Sequence, residues 1–402
     1  ELEEKLRRIA KEVAYAQDHT KLPTLNRTLI PLLSLASSLY KLALSLRRYL
    51  YHTGLFSTKR LPVAVISVGN LTWGGNGKTP MVEFIASRLA TFGILPLILT
   101  RGYGGGDEVR MLTRRLSAFL GEPPLIGVGA NRAAVASSFF EQYGYKDDCF
   151  SVEGMAVDGK VQNGSGNIGA VILDDGMQHW SLWRDVEIVM VNALMPWGNR
   201  QLIPLGPLRE PLMAFTRADI AVIHHADLVS EKGRRDIVSL IREVKESLPI
   251  YFSRMSPSHF FQVDNINSTM PLGVISGAIV LCVSAIGSAN AFVQVISKMG
   301  ILYVDRLDFS DHHLFQNKDV EMIRMKLRDL EEKFASKPVV VITEKDYDRD
   351  PVVFRDLSPY KVMALCSEFQ ILPYRECSEE SFVTFLKELL EVANMENDKD
   401  LY

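Results

Sequence analysis

Cysteine is scarce in this chain. Four cysteines in 402 residues (Cys149, Cys282, Cys366 and Cys377) stand scattered, with no C-x-x-C pair and no metal-binding spacing. This excludes a disulfide framework and a zinc module, and it reads as buried thiols in a reducing compartment. An excess of charge of one sign is lacking too. The balance of 45 basic against 48 acidic residues leaves −3, so the chain is no polyelectrolyte and no nucleic-acid partner is expected. No internal repeat or low-complexity tract stands out. There is no initiator methionine, which suggests a processed or trimmed start. Residues 1–20 alternate acids with bases as a solvated helix does, and their acids set them apart from transit and secretory peptides. What is present fits a packed globular protein, with 47% hydrophobic and 23% charged residues. The length allows two domains of about 100–200 residues each.

Acidic residues are absent altogether between Lys21 and Arg60, a stretch that holds seven basic ones. Inside it, "LIPLLSLASSLYKLALSLRRYL" places Leu29, Leu32, Leu33, Ala36, Leu39, Tyr40, Ala43 and Leu50 at three- and four-residue spacing. Ser34, Ser37, Ser38, Lys41, Ser45 and Arg48 fall between them. That period predicts an amphipathic helix over 29–50. Its charge-free run, Thr28 to Tyr40, is 13 residues, short of the roughly 20 needed to span a bilayer. A basic amphipathic helix of this kind suits a membrane interface, its lysines and arginines near lipid phosphates. The plainer alternative is a helix packed on the domain behind it, and a true span would require Lys41 to snorkel.

Past the linker "YHTGLFSTKRLP", the runs "VAVISVG", "LPLILT" and "GAVILDD" are continuously apolar, as central strands of a parallel sheet are. "TPMVEFIASRLATFG" and "AAVASSFFEQYG" between them read as helices, and "DVEIVMVNA" and "ADIAVIHHADL" continue the alternation. This predicts a three-layer α/β/α sheet domain with right-handed crossovers. Polar sequence near 253–276 interrupts the rhythm, after which strand and helix patterns resume and close with "ESFVTFLKELLEVANM". The expected divisions are 1–60, an N-terminal helical region with the membrane-interacting helix; 61–256, the sheet domain; and 257–402, a smaller α/β domain.

Chemistry enters at "VISVGNLTWGGNGKTP", where a strand, three glycines and a helix starting at Lys78-Thr79 follow in register. The pattern G-x-x-x-x-G-K-[ST] would place its first glycine at Thr72, so the spelling departs while the context holds. Gly74, Gly75 and Gly77 permit positive φ, letting backbone N–H groups turn inward on an anion. The helix N-terminus adds positive potential at the same place. Lys78 can then reach β- and γ-phosphates, and the Thr79 hydroxyl can face Mg²⁺. This makes the sheet domain a P-loop NTPase type, with Thr72, Trp73, Gly74, Gly75, Asn76, Gly77, Lys78 and Thr79 as the nucleotide-binding loop.

Elsewhere, "AVILDDGMQHW" ends an apolar strand on Asp174-Asp175, carboxylates that suit Mg²⁺. Neighbouring strand residues face opposite ways, so one aspartate serves the metal and the sequence leaves open which. His179 reads equally as a turn residue. In "TRGYGGGDEV", four glycines around Tyr103 suggest a mobile or tightly wrapped loop, with Asp107 and Glu108 as either a base with a metal carboxylate or a surface turn. "DFSDHHLF" sets histidines beside an aspartate, which suits proton removal from a hydroxyl. "PWGNRQLIPLGPLREP" is a long loop that offers Arg200 and Arg209 to an anion.

Together, "VGNLTWGGNGKTP", "RGYGG", "GDE", "ILDDGMQHW", "GNRQLIPLGPLREP", "DHH" and "TEKD" resemble one family in its own order, the tetraacyldisaccharide 4′-kinases of lipid A synthesis. The resemblance covers about residues 25–350. It implies transfer of the ATP γ-phosphate to the 4′-hydroxyl of a tetraacylated glucosamine disaccharide 1-phosphate, with ATP and Mg²⁺ as cofactors and no obligatory protein partner. By matching motifs it implies that Lys78 and Thr79 bind phosphate and metal, that Asp174 or Asp175 with Glu108 supports the metal, and that Asp107 with His312 removes the hydroxyl proton. Arg132 of "GVGANRAAVA" is implied as a phosphate contact. In the family that spelling of the loop is usual, so Thr72 is a family trait.

Two departures remain. A spacer before the acidic pair is shortened, and Val109 stands where the family has proline. A rival alignment would use Glu122 of "GEPP"; Asp107 and Glu108 are preferred because both acids survive and "VRMLTRRL" then fits a helix. The short loop resembles plant copies, which implies a membrane-associated protein in mitochondria, the alternative being the cytoplasmic face of a bacterial inner membrane. Acids on the phosphate-loop domain and a histidine on the other lead to an expectation of closure on substrate.

Overall fold

The computed structural model describes residues 2–16, 18–102, 106–146 and 167–400. Tyr103, the glycines beside it at 104 and 105, and Cys149 lie outside the described residues, so the reading of a mobile or wrapped glycine loop cannot be placed. Along the chain, α1 (Leu2–Tyr15) and α2 (Thr24–His52) come before β1 (Ala64–Asn70), α3 (Lys78–Thr91) and β2 (Leu95–Thr100). Then follow α4 (Asp107–Leu120), β3 (Leu125–Val128), α5 (Arg132–Tyr143), β4 (Ile168–Asp174), β5 (Val186–Asn192), β6 (Ile220–His224) and α6 (Glu231–Val244). The rest is β7 (Ile250–Gln262), β8 (Asn265–Met270), β9 (Ile279–Ser284), α7 (Ala289–Ser297), β10 (Tyr303–Asp308), α8 (Asn317–Phe334), β11 (Val339–Thr343), α9 (Glu344–Arg349), β12 (Val362–Leu372) and α10 (Glu379–Asp400).

The chain divides into two compact units. The first comprises Glu1–Arg101, Pro124–Ser253 and Ile371–Tyr402; the second comprises Gly102–Pro123 and Arg254–Gln370. The first unit is the parallel α/β domain the alternation predicts, with strands in the order β7-β6-β5-β1-β4-β2-β3. Every residue of β1, β4, β5 and β6 is buried, which requires helices on both faces and explains their unbroken apolar runs. Val171 and Leu173 of β4 pack with Ala133 and Ala136 of α5. Val189 and Val191 of β5 pack with Ile237 and Ile241 of α6. In the second unit, β10-β9-β11-β12 are parallel, and β8 returns antiparallel on β7. The polar stretch near 253–276, expected as a break, is thus mostly strand: β7 and β8 form a hairpin there.

The observed division departs from 61–256 and 257–402 in two places. Residues 102–123 join the second unit because α4 is bonded to α9. Arg114 Nε and Nη2 donate to both oxygens of Asp348 at 2.8 Å, and Arg114 Nη2 and Arg115 Nη1 each donate to Glu344 at 2.7 Å. The closing helix α10 belongs to the first unit, where the Phe382 ring meets Phe84 and Tyr251 at 6.0 and 5.1 Å and Arg88 pairs with Glu379.

The N-terminal helix α2 is longer than 29–50 and turned differently from the expected faces. Ser37, placed by pattern on the polar side, is buried; its hydroxyl donates to Leu202 O (2.9 Å) and accepts from Leu205 N (3.0 Å). Tyr40 Oη donates to Arg209 O and Arg47 Nη2 to Gln178 O, at 2.9 and 2.7 Å. These polar anchors fix which side faces inward. Leu32, Leu35, Leu39, Leu42, Leu46 and Tyr49 are left as an outward stripe, each more than half exposed. Two of these, Leu32 and Leu39, were assigned by period to the same face as Leu33 and Tyr40. The apolar arc, with Leu35 and Leu42 widening it past Leu32 and Leu39, is broader than the inward face, so period alone does not fix which part of it is buried. Although its charge-free run is short, Asn26–His52 is long and apolar enough to cross a membrane by length and composition, with mean hydropathy 1.6.

Candidate active site

In the first unit, β1 ends at Asn70 and α3 begins at Lys78, with the glycine loop between. Gly74 and Gly77 take left-handed φ of 97° and 78°. A Cβ on Gly77 would also come within 2.5 Å of His224 Cδ2, so glycine is required there twice over. Gly75 is not among the left-handed glycines; its carbonyl accepts from Asn192 Nδ2 at 2.8 Å. Thr72 needs no glycine because it is stitched from outside. It bridges to Leu208, Trp73 N donates to Pro207 O at 3.0 Å, and Asn76 Nδ2 donates to Gly74 O at 3.1 Å. Pro80 sits in the first helical turn, where a missing N–H is harmless. Lys78 Nζ lies 3.3 Å from Asn70 Oδ1 and 3.6 Å from Asp175 Oδ1, and Thr79 is buried beside it.

The aspartate turn meets this loop through the sheet: Val68 of β1 pairs with Asp174, the last residue of β4. Asp175 has a left-handed φ of 54°, and both its oxygens accept from Arg209, at 2.9 and 2.8 Å. Burial works to raise the Asp175 pKa, but the Lys78 ammonium and the Arg209 guanidinium outweigh it and hold the carboxyl well below the usual range. Arg209 Nη2 also donates to Asn70 O at 3.0 Å. Arg132, expected on a phosphate, is buried and donates to the carbonyls of Asp174 (2.6 Å) and Asp175 (3.1 Å). His179 lies 3.3 Å from Ser181 Oγ. Burial, then the cations Arg132, Arg184, Arg47 and Arg101, push its pKa down to about 4. Gln178 Nε2 donates to Asn70 O and to Glu210 Oε1, both at 3.1 Å. Arg200 is exposed, has no side-chain partner among the described residues, and joins none of these groups.

The second unit holds its own constellation. Asp107 opens α4 behind the left-handed Gly106 and is fully buried. Its Oδ1 accepts from Glu108 N at 2.9 Å. Its Oδ2 takes three donors: His312 Nδ1 (3.1 Å), Arg349 Nε (3.1 Å) and Arg349 Nη2 (2.8 Å). Burial pushes Asp107 up, but the His312 hydrogen bond, the Lys345 charge and Arg349 together lower its pKa to about 2. An ionised carboxylate only accepts, so Nδ1 of His312 carries a hydrogen, and in the neutral ring that tautomer puts the lone pair on Nε2. His312 itself has a left-handed φ of 62°, and its N–H donates to Ala285 O at 3.2 Å. A non-glycine residue held there stores strain of about 1–3 kcal/mol, as functional positions often do.

Asp107 and His312, expected on different domains, therefore lie in the same unit already bonded; the premise of the expected closure does not hold. Glu108, expected as a metal carboxylate, accepts from Lys345 Nζ at 3.2 Å. Among the described residues no group of three or more His, Cys, Asp or Glu side chains could hold a metal ion. Asn70, Glu210, Lys345 and Arg349 escaped the sequence reading. The "TEKD" motif pointed toward Lys345, and Arg349 lies one turn beyond it.

A family model for tetraacyldisaccharide-1-P 4′-kinase matches residues 29–390. The chain is 54% identical over 392 residues to the probable mitochondrial tetraacyldisaccharide 4′-kinase of Arabidopsis thaliana, covering 96% of this chain and 98% of that protein. It is 30% identical over 359 residues to the tetraacyldisaccharide 4′-kinase of Halothermothrix orenii, covering 80% and 84%. Among solved structures, LpxK from Aquifex aeolicus, an "apo" form in complex with ATP, matches with a TM-score of 0.56 at 23% identity. That match covers 91% of this chain and 100% of that one, a likeness of fold.

Proposed function

Because the chain belongs to the tetraacyldisaccharide 4′-kinase family, we infer that it moves the γ-phosphate of ATP to the 4′-hydroxyl of a tetraacylated glucosamine disaccharide 1-phosphate. The observation that carries this reading is Lys78, set between Asn70 and Asp175 at the mouth of a glycine loop opening a helix. In phosphoryl transfer the protein mainly positions groups and neutralises charge. Lys78 and the N–H groups of the loop and first turn of α3 hold the nucleotide phosphates. Asp175 and Asn70 hold Lys78, Arg209 holds Asp175, and Arg132 braces the turn from its carbonyls.

The donors fit a hard cation, with the Thr79 hydroxyl and the Asp174 carboxylate at the same end of the sheet. Asp175, committed to Arg209, suits the task less. A divalent cation held by Thr79 and Asp174 would supply positive charge against the negative charge that builds during transfer. On the second unit, His312 Nε2 takes the proton from the acceptor hydroxyl, while Asp107 fixes its tautomer and stabilises the imidazolium that forms.

The outward stripe on α2 suits a membrane surface, where a four-chain lipid resides. The mitochondrial name of the Arabidopsis relative supports placing the protein there. The test supplies γ-labelled ATP and detergent-dispersed tetraacyldisaccharide 1-phosphate. The wild type puts label on the lipid, Lys78→Ala puts none, and His312→Ala retains a remnant slowed by roughly 100- to 10,000-fold. Label appearing only in free phosphate, or near-normal rates for Lys78→Ala, would refute the assignment.

A further inference from the structure

Helix α1 precedes the stretch 29–390 matched by the family model and has no part in the chemistry above. Its last turn is docked nonetheless: Val13 and Ala14 are fully buried. The last four carbonyls of a helix lack donors within it, and here two of them are answered from the long loop at 196–211. Asn199 N donates to Ala14 O at 2.8 Å, and Asn199 Nδ2 donates to Val13 O at 3.2 Å. The same Nδ2 donates to Leu205 O at 2.9 Å. From the other side, Asn26 Nδ2 donates to Glu12 Oε2 at 2.9 Å and ties α1 to α2. Gly198, at a left-handed φ of 53°, is pressed between α1 and Pro207. A Cβ there would stand 2.5 Å from Ala14 O and 2.7 Å from Pro207 Cγ.

Pro207 leads from there to the phosphate loop. Its carbonyl accepts from Trp73 N at 3.0 Å, Leu208 bridges to Thr72, and Arg209 N donates to Leu71 O at 2.6 Å. Side chains close the same circuit. Burial raises the pKa of Tyr15, the last residue of α1, above the ordinary 10.0, and the hydrogen bond its hydroxyl shares with the Trp73 side chain works against that rise. Trp73 is thus held from two sides just ahead of Gly74, where an added Cβ would meet nothing within 4 Å. Glycine-rich backbone is costly to order, so a grip on the residue before it lowers what a nucleotide must supply to order the loop. We propose that Tyr15 is a positioning residue for ATP: by holding Trp73, the end of α1 straps the phosphate loop in the form that binds the nucleotide. The proposal rests on the phosphate-loop reading of residues 72–79. By reciprocity, ATP must tighten the end of α1 by the same factor that α1 tightens ATP.

The test is a cycle of Tyr15→Phe, Trp73→Phe and the two together, with affinity read from the fluorescence of ATP carrying an N-methylanthraniloyl group on its ribose. Tyr15→Phe removes one hydroxyl and keeps the ring. Loss of one neutral hydrogen bond should weaken ATP binding roughly 2- to 10-fold. In the lipid assay that loss should fall on the KM for ATP rather than on kcat at saturating ATP. Added to Trp73→Phe, Tyr15→Phe should change nothing further. Equal affinity in Tyr15→Phe and the wild type overturns the proposal. So does a full Tyr15→Phe effect in the Trp73→Phe background, because the hydroxyl would then act elsewhere. Amide exchange reads the same coupling on the unaltered chain: ATP should slow exchange over residues 12–15, and exchange indifferent to ATP overturns the strap. If the wild type binds ATP but labels no lipid, the kinase reading fails and a non-additive cycle still supports the strap. A wild type that binds no ATP sinks the phosphate-loop reading and the strap together.

Discussion

Arg349 offers the most direct probe of the second unit's chemistry. Its side chain is fully buried, as is that of Asp107, and it donates twice to Asp107 Oδ2 and once to Asp346 Oδ1 at 2.8 Å. The oxygen it grips is the one that orients His312. Arg349→Met leaves two buried carboxylates without their cation, which costs about 3–5 kcal/mol of stability. Arg349→Lys keeps the charge but cannot reproduce the fork, so it should lose only part of that and remain folded. In catalysis, an orienting shift near 1 Å costs about a hundredfold. Arg349→Lys should therefore lower kcat for lipid phosphorylation roughly 10- to 100-fold, while the KM for ATP, set in the other unit, stays put.

The pH dependence of stability gives a second readout. Asp107 is held at about 2 against an ordinary 3.8, so its contribution is present above the ordinary value and lost as pH falls through about 2. That difference amounts to about 2 kcal/mol. Without Arg349 the carboxyl moves back toward 3.8, and urea unfolding of the folded variant should lose its acid reserve at a higher pH. An Arg349→Lys enzyme with kcat within twofold of wild type would show that Arg349 serves the fold alone.

Two other expectations can be checked directly. Glu187 is buried among strands with Ser67 Oγ donating at 2.7 Å; burial, outweighing Arg184 at 3.3 Å, pushes its pKa up from 4.5 to about 7. Raised in the fold, it contributes stability that is full below about pH 4.5 and is lost as pH rises through about 7, some 3 kcal/mol in all. Glu187→Gln should flatten the urea midpoint between pH 5 and 8, and a slope equal to wild type would count against this. On α2, Leu39 and Leu42 are 60% and 67% exposed, so Leu39→Glu/Leu42→Glu should leave thermal unfolding in place. Removing two leucines from a lipid contact costs about 3 kcal/mol, roughly a hundredfold in vesicle binding; undiminished flotation would dismiss the stripe as a membrane surface.

How much of the site could be read from sequence depended on where each group's partners sit along the chain. Lys78 was legible because strand, glycines, lysine and helix are consecutive, and each constrains the next. Asp107 read equally well as a surface turn because its partners His312 and Arg349 lie 205 and 242 residues away. Nothing near position 107 records that a histidine will fill one side of the carboxylate and an arginine the other. The same reasoning explains the misplaced division of the chain. Helix α4 follows the first unit's strands in sequence, but Arg114 and Arg115 commit it to α9 across some 230 residues. Helix α2 failed for the opposite reason. Its signal was local, but the apolar arc is too wide to choose a face, and the inward side is fixed by the Ser37 hydroxyl, bonded at Leu202 and Leu205, together with Tyr40 and Arg47. A polar residue with a buried partner can fix a rotation that apolar periodicity leaves free, and that partner, 165 residues on, is invisible to any window along the helix.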